Sequence, residues 1–234
     1  MIRTGHLLEA MSRCESSREA GSQFWRIDLI ESNPQGEQAA PQVFGLEMGP
    51  GARLGVHFHF RDQFQVVIKG SGTLGPHALA PYALHYASGH TGYGPVVAGE
   101  AGMTYLTIRA LTDGKAHYLP EKRAEMLPAK RRNVHAHYEL PAVGDRRKPG
   151  LHALMPMQDN GAAAWTLSLA PGESYVASED AGMRYYFVMQ GEVRAATHVV
   201  TGVGCVFLAG DNRHCPLVAG VAGADLLVLQ FDTA

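Results

Sequence analysis

Cysteine is scarce: only 3 of the 234 residues, Cys14, Cys205 and Cys215, with no C-x-x-C spacing. An odd, scattered set excludes a disulfide framework and offers no thiolate zinc site, so three reduced thiols are expected. No apolar run approaches the roughly 18 to 20 residues that a membrane-spanning helix needs. Neither charge sign dominates, with 20 Lys+Arg against 22 Asp+Glu and a formal net charge of −2. The basic surplus of a self-contained nucleic-acid binder is therefore missing, as is an acidic tail. Acids and bases alternate near the N-terminus (Arg3, Glu9, Arg13, Glu15, Arg18, Glu19) without a continuous apolar stretch. That speaks against a secretory signal or an acid-poor transit peptide, and a cytoplasmic location is expected. Long helical periodicity is also lacking, because 27 Gly and 13 Pro punctuate the chain. With 46% hydrophobic residues the chain can form a core, and the short alternating runs between turn residues point to an all-β protein.

What the chain does contain is itself, twice. Residues 46–109 align with 167–230 at a constant offset of 121 and without a gap. Pro50-Gly51 falls on Pro171-Gly172, Gly70 on Gly191, His77 on His198, Gly89 on Gly210 and Pro95 on Pro216. Between these points lie strand-like runs, among them Arg53–His59, Gln63–Lys69, Met103–Arg109, Arg184–Gln190 and Asp225–Phe231. The period is too long for a solenoid, so two barrels or sandwiches are expected. The division is an arm at 1–23, a first domain at 24–114, a linker at 115–148 and a second domain at 149–234. The arm should hold one amphipathic turn or none. The linker, rich in Lys, Arg, Pro and Ala, should wrap the surface with at most a short helix.

Candidate chemistry concentrates in Gly55-Val-His57-Phe-His59-Phe-Arg-Asp-Gln63-Phe-Gln65. Alternation on a strand puts His57 and His59 on one face, and Gln63, Gln65 and Val67 on one face of the next strand. Two neutral imidazoles two residues apart can begin a divalent-metal site, line an unmetallated pocket, or serve structure alone.

At these residues the sequence resembles the cupin superfamily, whose first motif reads G-x5-H-x-H-x3,4-E-x6-G. Gly51, His57, His59 and Gly70 match, and Gln63 replaces the glutamate. The resemblance implies two tandem cupin-type double-stranded β-helix (jelly-roll) barrels, a bicupin. The family's later histidine falls, by the internal repeat, at Tyr93 in the first copy and at His214 in the second. In the second copy Ser178, Asp180 and Arg184 stand where His57, His59 and Gln63 would be. Neither copy carries the full set, and the second is expected to be metal-free and structural.

The resemblance therefore implies His57, His59 and Gln63 as metal ligands in the first barrel, holding Fe, Ni, Mn or Zn. Gln65, His90 and Tyr93 would bind a small-molecule ligand, with His85 or His90 able to replace the missing histidine. Two imidazoles and an amide leave a metal's charge uncompensated, which favours an anionic substrate. The implied activity is a metal-dependent dioxygenase or isomerase acting on a small organic acid; the alternative is a non-enzymatic, metal-free ligand-binding or regulatory bicupin. A homodimer or larger oligomer is also implied, with no nucleic-acid or membrane partner.

Several patterns are decoys. Gly70-Ser-Gly72-Thr-Leu-Gly75 fits G-x-G-x-x-G, but Pro76 and Pro81 follow where a helix should, with no acid in the next 20 residues. His135-Ala-His137 lies in the linker and reads as a surface pair. His77 and His198 mark a shared turn, and Cys215 beside His214 reads as a buried thiol.

Overall fold

The computed structural model describes residues 1–15, 19, 21–30, 40–141, 149–179 and 181–232. The chain divides into two compact units, Met11–His137 and Met1–Ala10 with Tyr138–Ala234. Strand β1 spans Ile2–His6 and is followed by helix α1, Leu7–Cys14. Next come β2 (Phe24–Ile30), β3 (Gln42–Met48), β4 (Arg53–Leu54), β5 (His57–Phe58), β6 (Gln63–Leu74) and β7 (His77–Leu79). The first unit ends with β8 (Ala83–Ala87), β9 (Val96–Arg109), β10 (His117–Tyr118) and β11 (Asn133–His137). The second continues with β12 (Gly150–Met155), β13 (Ala163–Leu169), β14 (Ser174–Tyr175), β15 (Met183–Ala195), β16 (His198–Thr201), β17 (Gly204–Leu208) and β18 (Leu217–Phe231).

Every pairing is antiparallel, and both units are jelly-roll barrels. The first orders its strands β11-β8-β6-β9-β3-β2, with β4 on β9, β7 on β6, and a separate ribbon of β10 on β5. The second orders them β1-β17-β15-β18-β13-β12, with β14 on β18 and β16 on β15. The two orders match, and β3, β4, β6, β7, β8 and β9 fall on β13, β14, β15, β16, β17 and β18 at the offset read from the sequence. Edge strand β11 pairs with β8 as β1 pairs with β17, so each barrel takes an edge strand from outside the repeated core. The amphipathic helical turn expected in the arm and the short helix allowed in the linker are both present, but each segment also supplies strands that were not expected. The arm supplies β1 and α1, and the presumed linker supplies β10, β11 and a 3-10 turn at Arg123–Glu125; residues 142–148 lie outside the described residues.

Alternation sends one side of each long strand inward. Val67, Met103 and Tyr105 pack in the first core, and Tyr186, Val188, Leu226 and Val228 in the second. Each such side chain contributes roughly 1.5 to 3 kcal/mol on burial. The same parity carries polar groups inward: Gln63, Gln65, Thr107 and Arg109 follow Val67 and Tyr105, and Arg184 and Gln230 follow Tyr186 and Val228. Where β6 crosses β9, Gly70 has φ +76°, and a Cβ there would run into Gly102 O. Gly191 repeats this against Gly223 O at φ +81°. The apparent nucleotide loop is therefore the continuation of β6 into its hairpin with β7, and no helix follows. Among the described residues no helix is long and apolar enough to cross a membrane.

Candidate functional site

The short strand β5 turns His57 and His59 toward the first barrel's interior, where both are buried. His57 Nδ1 lies 2.7 Å from Gly55 O, which fixes that nitrogen as the N–H donor and leaves a lone pair on Nε2. Nε2 lies 2.9 Å from the Tyr93 hydroxyl, so the phenol donates to the ring. Tyr93 is held there by a bridge between its backbone and that of His57. Gln63 Nε2 donates to the same hydroxyl at 2.5 Å. The Gln63 amide is oriented by Arg109, whose Nη2 and Nε donate to Gln63 Oε1 at 2.7 and 3.1 Å. Arg109 Nη1 donates to Gln42 Oε1 at 2.9 Å.

Burial lowers the pKa of His57, only partly offset by the Gly55 bond, and the Arg109 charge lowers it further. His59 is brought down to about 4, chiefly by burial, against the opposing pull of Asp113. Its Nδ1 lies 3.4 Å from Asp113 Oδ2, in contact but outside hydrogen-bond geometry. Asp113 is held at about 2: burial pushes it upward, but His59, Arg109 and the Phe60 N–H outweigh that. Burial likewise pushes the Tyr93 hydroxyl well above the ordinary phenol range. At neutral pH the cluster consists of neutral imidazoles and a protonated phenol.

Gln65, also buried and beside Tyr93, belongs to a second polar group. His85 Nδ1 and Nε2 lie 2.8 Å from Gln65 Oε1 and Asn133 Oδ1. Burial brings His85 down to about 3, so the ring is neutral; it donates to one amide and satisfies the other only if that amide turns its NH2 inward. A cavity of about 10 Å³ beside Gln65 and His85 has room for about one water. His135 stacks on His85 and on His77, at centroid distances of 4.7 and 3.6 Å. This corrects the surface-pair expectation for His135, while His137 is exposed and meets Pro81 O. A groove of about 590 Å³ runs past Tyr93, His77, Asn133 and His135.

His57, His59, Gln63 and Tyr93 are thus brought together, and Gln65 adjoins them. His90 is not. It packs on Phe58 and Phe60, which alternate to the opposite face from His57 and His59, and accepts from Leu127 N through Nδ1. Neither His85, committed to Gln65 and Asn133, nor His90 replaces the missing histidine. In the second barrel Ser178 is exposed, Asp180 lies outside the described residues, and His214 Nδ1 faces Ala177 O at 3.3 Å. Cys205 is buried and its thiol pushed up to about 12 by that burial, whereas Cys215, expected to be buried, is half-exposed.

A divalent cation would meet two suitable imidazoles here and little else. The Gln63 oxygen is engaged by Arg109, its amide hydrogens point at Tyr93, and the phenol resists ionisation. Among the described residues no three His, Cys, Asp or Glu side chains converge as a metal site. As arranged, the donor set does not fit a resident divalent metal.

No protein-family model matches the chain, and no curated protein matches it. Solved structures do. Pirin YhhW from Escherichia coli, also solved in complex with nickel(II), is 10% identical, with a TM-score of 0.63 over 100% of this chain and 99% of its own. Salicylate 1,2-dioxygenase from Pseudoaminobacter salicylatoxidans, as a point mutant, is 10% identical, with a TM-score of 0.59 over 99% of this chain and 84% of its own. Oxalate decarboxylase OxdC from Bacillus subtilis, as a deletion mutant, is 12% identical, with a TM-score of 0.56 over 92% of this chain and 74% of its own. At 10–12% identity these structures share with the chain its fold, a duplicated jelly-roll barrel.

Proposed function

We propose that the first barrel acts on a small organic acid by proton transfer, as an isomerase-type enzyme, with Tyr93 and His57 as the acid–base pair. The observation that carries this reading is the Tyr93 hydroxyl, which donates to His57 Nε2 and receives Gln63 Nε2–H. His57 is fixed in the accepting tautomer by Gly55 O. The Tyr93 oxygen takes a proton from the substrate carbon as it passes its own to His57 Nε2, so the phenol is never left ionised. The Gln63 N–H, polarised by Arg109, steadies that oxygen during the exchange, and the reverse relay returns a proton to the substrate. The groove beside Tyr93 supplies space for a substrate, and His77, Asn133 and His135 offer hydrogen bonds to an acid group. Gln65 holds His85 against the Tyr93 ring.

The test is deuterium wash-in from D2O, followed by NMR, across a set of 2-oxo and 2-hydroxy acids. Exchange at a carbon next to the carboxyl or carbonyl is expected, insensitive to chelator, and lost by about 100-fold or more in Tyr93→Phe and His57→Gln. Exchange that survives both substitutions contradicts the reading.

One observation favours a second reading, a metal-dependent dioxygenase or isomerase with His57, His59 and Gln63 holding Fe, Ni, Mn or Zn. His57 is anchored through Nδ1 on a backbone oxygen and His59 Nδ1 faces a carboxylate, the outer-shell pattern of ligating histidines. That reading needs the Gln63 amide to turn and Arg109 to release it. Activity that depends on added metal and vanishes with chelator would favour it. Cytoplasmic location and homodimer formation belong to the proposal as well, the latter tested by light scattering.

A further inference from the structure

We propose that the second barrel holds a binding site for a small monocarboxylate with an apolar body, built on Arg184. This inference is independent of the chemistry assigned to the first barrel. Arg184 projects from β15 into the interior in line with Tyr186 and Val188, and is only 6% exposed. Nε donates to Gln230 Oε1 at 2.8 Å, and Nη1 donates to the Tyr175 hydroxyl at 3.2 Å. The guanidinium lies 5.2 Å from the centroid of the Trp165 ring, and the Tyr186 hydroxyl stands nearby. All these neighbours are neutral. Among the described residues no carboxylate lies within ion-pair distance of Arg184.

A guanidinium stays charged at any accessible pH, and a buried charge is costly unless it is paired and fully hydrogen-bonded. Its five N–H donors outnumber the neutral acceptors around it. Among the described residues none of its nitrogens is both buried and unpartnered, so the donors left over open toward solvent, where they match the fork geometry of a carboxylate. The surroundings define the rest of the ligand. Met157, whose Sδ lies 3.6 Å from Gln230 Nε2, is 56% exposed, and Val176, next to Tyr175, is 51% exposed. An apolar lip beside a guanidinium and an indole fits a hydrocarbon body attached to the acid group better than an inorganic oxoanion.

The test uses the full chain carrying Trp25→Phe, which leaves Trp165 as the sole tryptophan. Cyclohexanecarboxylate is titrated while Trp165 fluorescence and thermal stability are followed, with cyclohexylmethanol and sulfate as controls. A saturable response and a raised melting temperature are expected with the acid alone. Affinity should fall by about tenfold or more in Arg184→Gln, and by smaller factors in Arg184→Lys and Tyr175→Phe, which preserve the charge or the ring. Those two variants keep the test valid if Arg184→Gln fails to fold. Equal response to the alcohol, binding as tight for sulfate, or unchanged affinity in Arg184→Lys and Tyr175→Phe would each overturn the proposal. So would failure of the wild type to bind. Binding that appears only in Asp180→Asn would assign the counter-charge to the chain itself and overturn it too.

Discussion

The two barrels place the same two kinds of group at the same two interior positions, but in opposite order. In the first, β6 carries Gln63 and β9 carries Arg109; in the second, β15 carries Arg184 and β18 carries Gln230. At the offset of 121 these four residues are two equivalent pairs, and Phe44 and Trp165, each near its guanidinium, are a third. What the repeat preserves is therefore an amide–guanidinium bond across adjacent strands, not a particular residue on a particular strand. The chemistry around that bond diverges. The first barrel surrounds it with His57, His59 and Tyr93, whereas the second, among the described residues, leaves the guanidinium with neutral groups.

The comparison can be broken most forcefully at what the barrels share. Gly70→Ala and Gly191→Ala should each destabilise by about 3 kcal/mol or more, since both combine a positive φ with a backbone collision. Chemical denaturation measures both, and a neutral result for either would show that the β6–β9 or β15–β18 crossing relaxes. Next in size is exchange of the pair itself. Arg109→Gln should cost about 2 kcal/mol by leaving the Gln63 and Gln42 oxygens short of donors. Adding Gln63→Arg, which copies the second barrel's order, should recover about 1 kcal/mol or more in a double-mutant cycle. Simple additivity would mean that the pairing is not what the fold preserves.

A difference between the barrels sharpens the comparison through pH. His59 and His85, held at about 4 and about 3, are protonated more readily in the unfolded chain, where the ordinary value is near 6.5. Their stabilisation is complete above pH 6.5 and is lost as pH falls toward 4, on the order of 3 kcal/mol for His59. The second barrel's His214 has no comparable burial. Thermal melts between pH 7 and 4 should thus weaken the first barrel, and His85→Gln should flatten the slope; a slope unchanged in that variant would contradict the assignment to His85. The smallest effect is Tyr175→Phe, about 1 kcal/mol without ligand, read from the same melts.

Much of this was legible in the sequence because its causes are local or duplicated. Alternation placed His57 and His59 on one face, and the repeat located Tyr93 as the equivalent of His214 with no structural information. The edge strands were not legible. β1 pairs with β17 across some two hundred residues and β11 pairs with β8 through a presumed linker, so neither carries a turn signal beside its partner. Arg109 was missed for a different reason. At the end of an apolar run it reads as a solvated strand terminus, and only the Arg184–Gln230 alignment at the same offset could have flagged it. His90 failed because three residues of separation from Tyr93 says nothing of facing when a positive φ of 58° at His90 itself turns the chain.

Histidine-selective 15N NMR of chelator-treated protein at neutral pH, before and after adding nickel(II), tests most directly whether the first barrel is a metal-free proton-transfer site. The account predicts a neutral His57 protonated at Nδ1, hydrogen-bonded at Nε2, and undisturbed with His59 by stoichiometric nickel. Loss of both His57 and His59 signals at one equivalent of nickel, or a His57 protonated at Nε2, would contradict it.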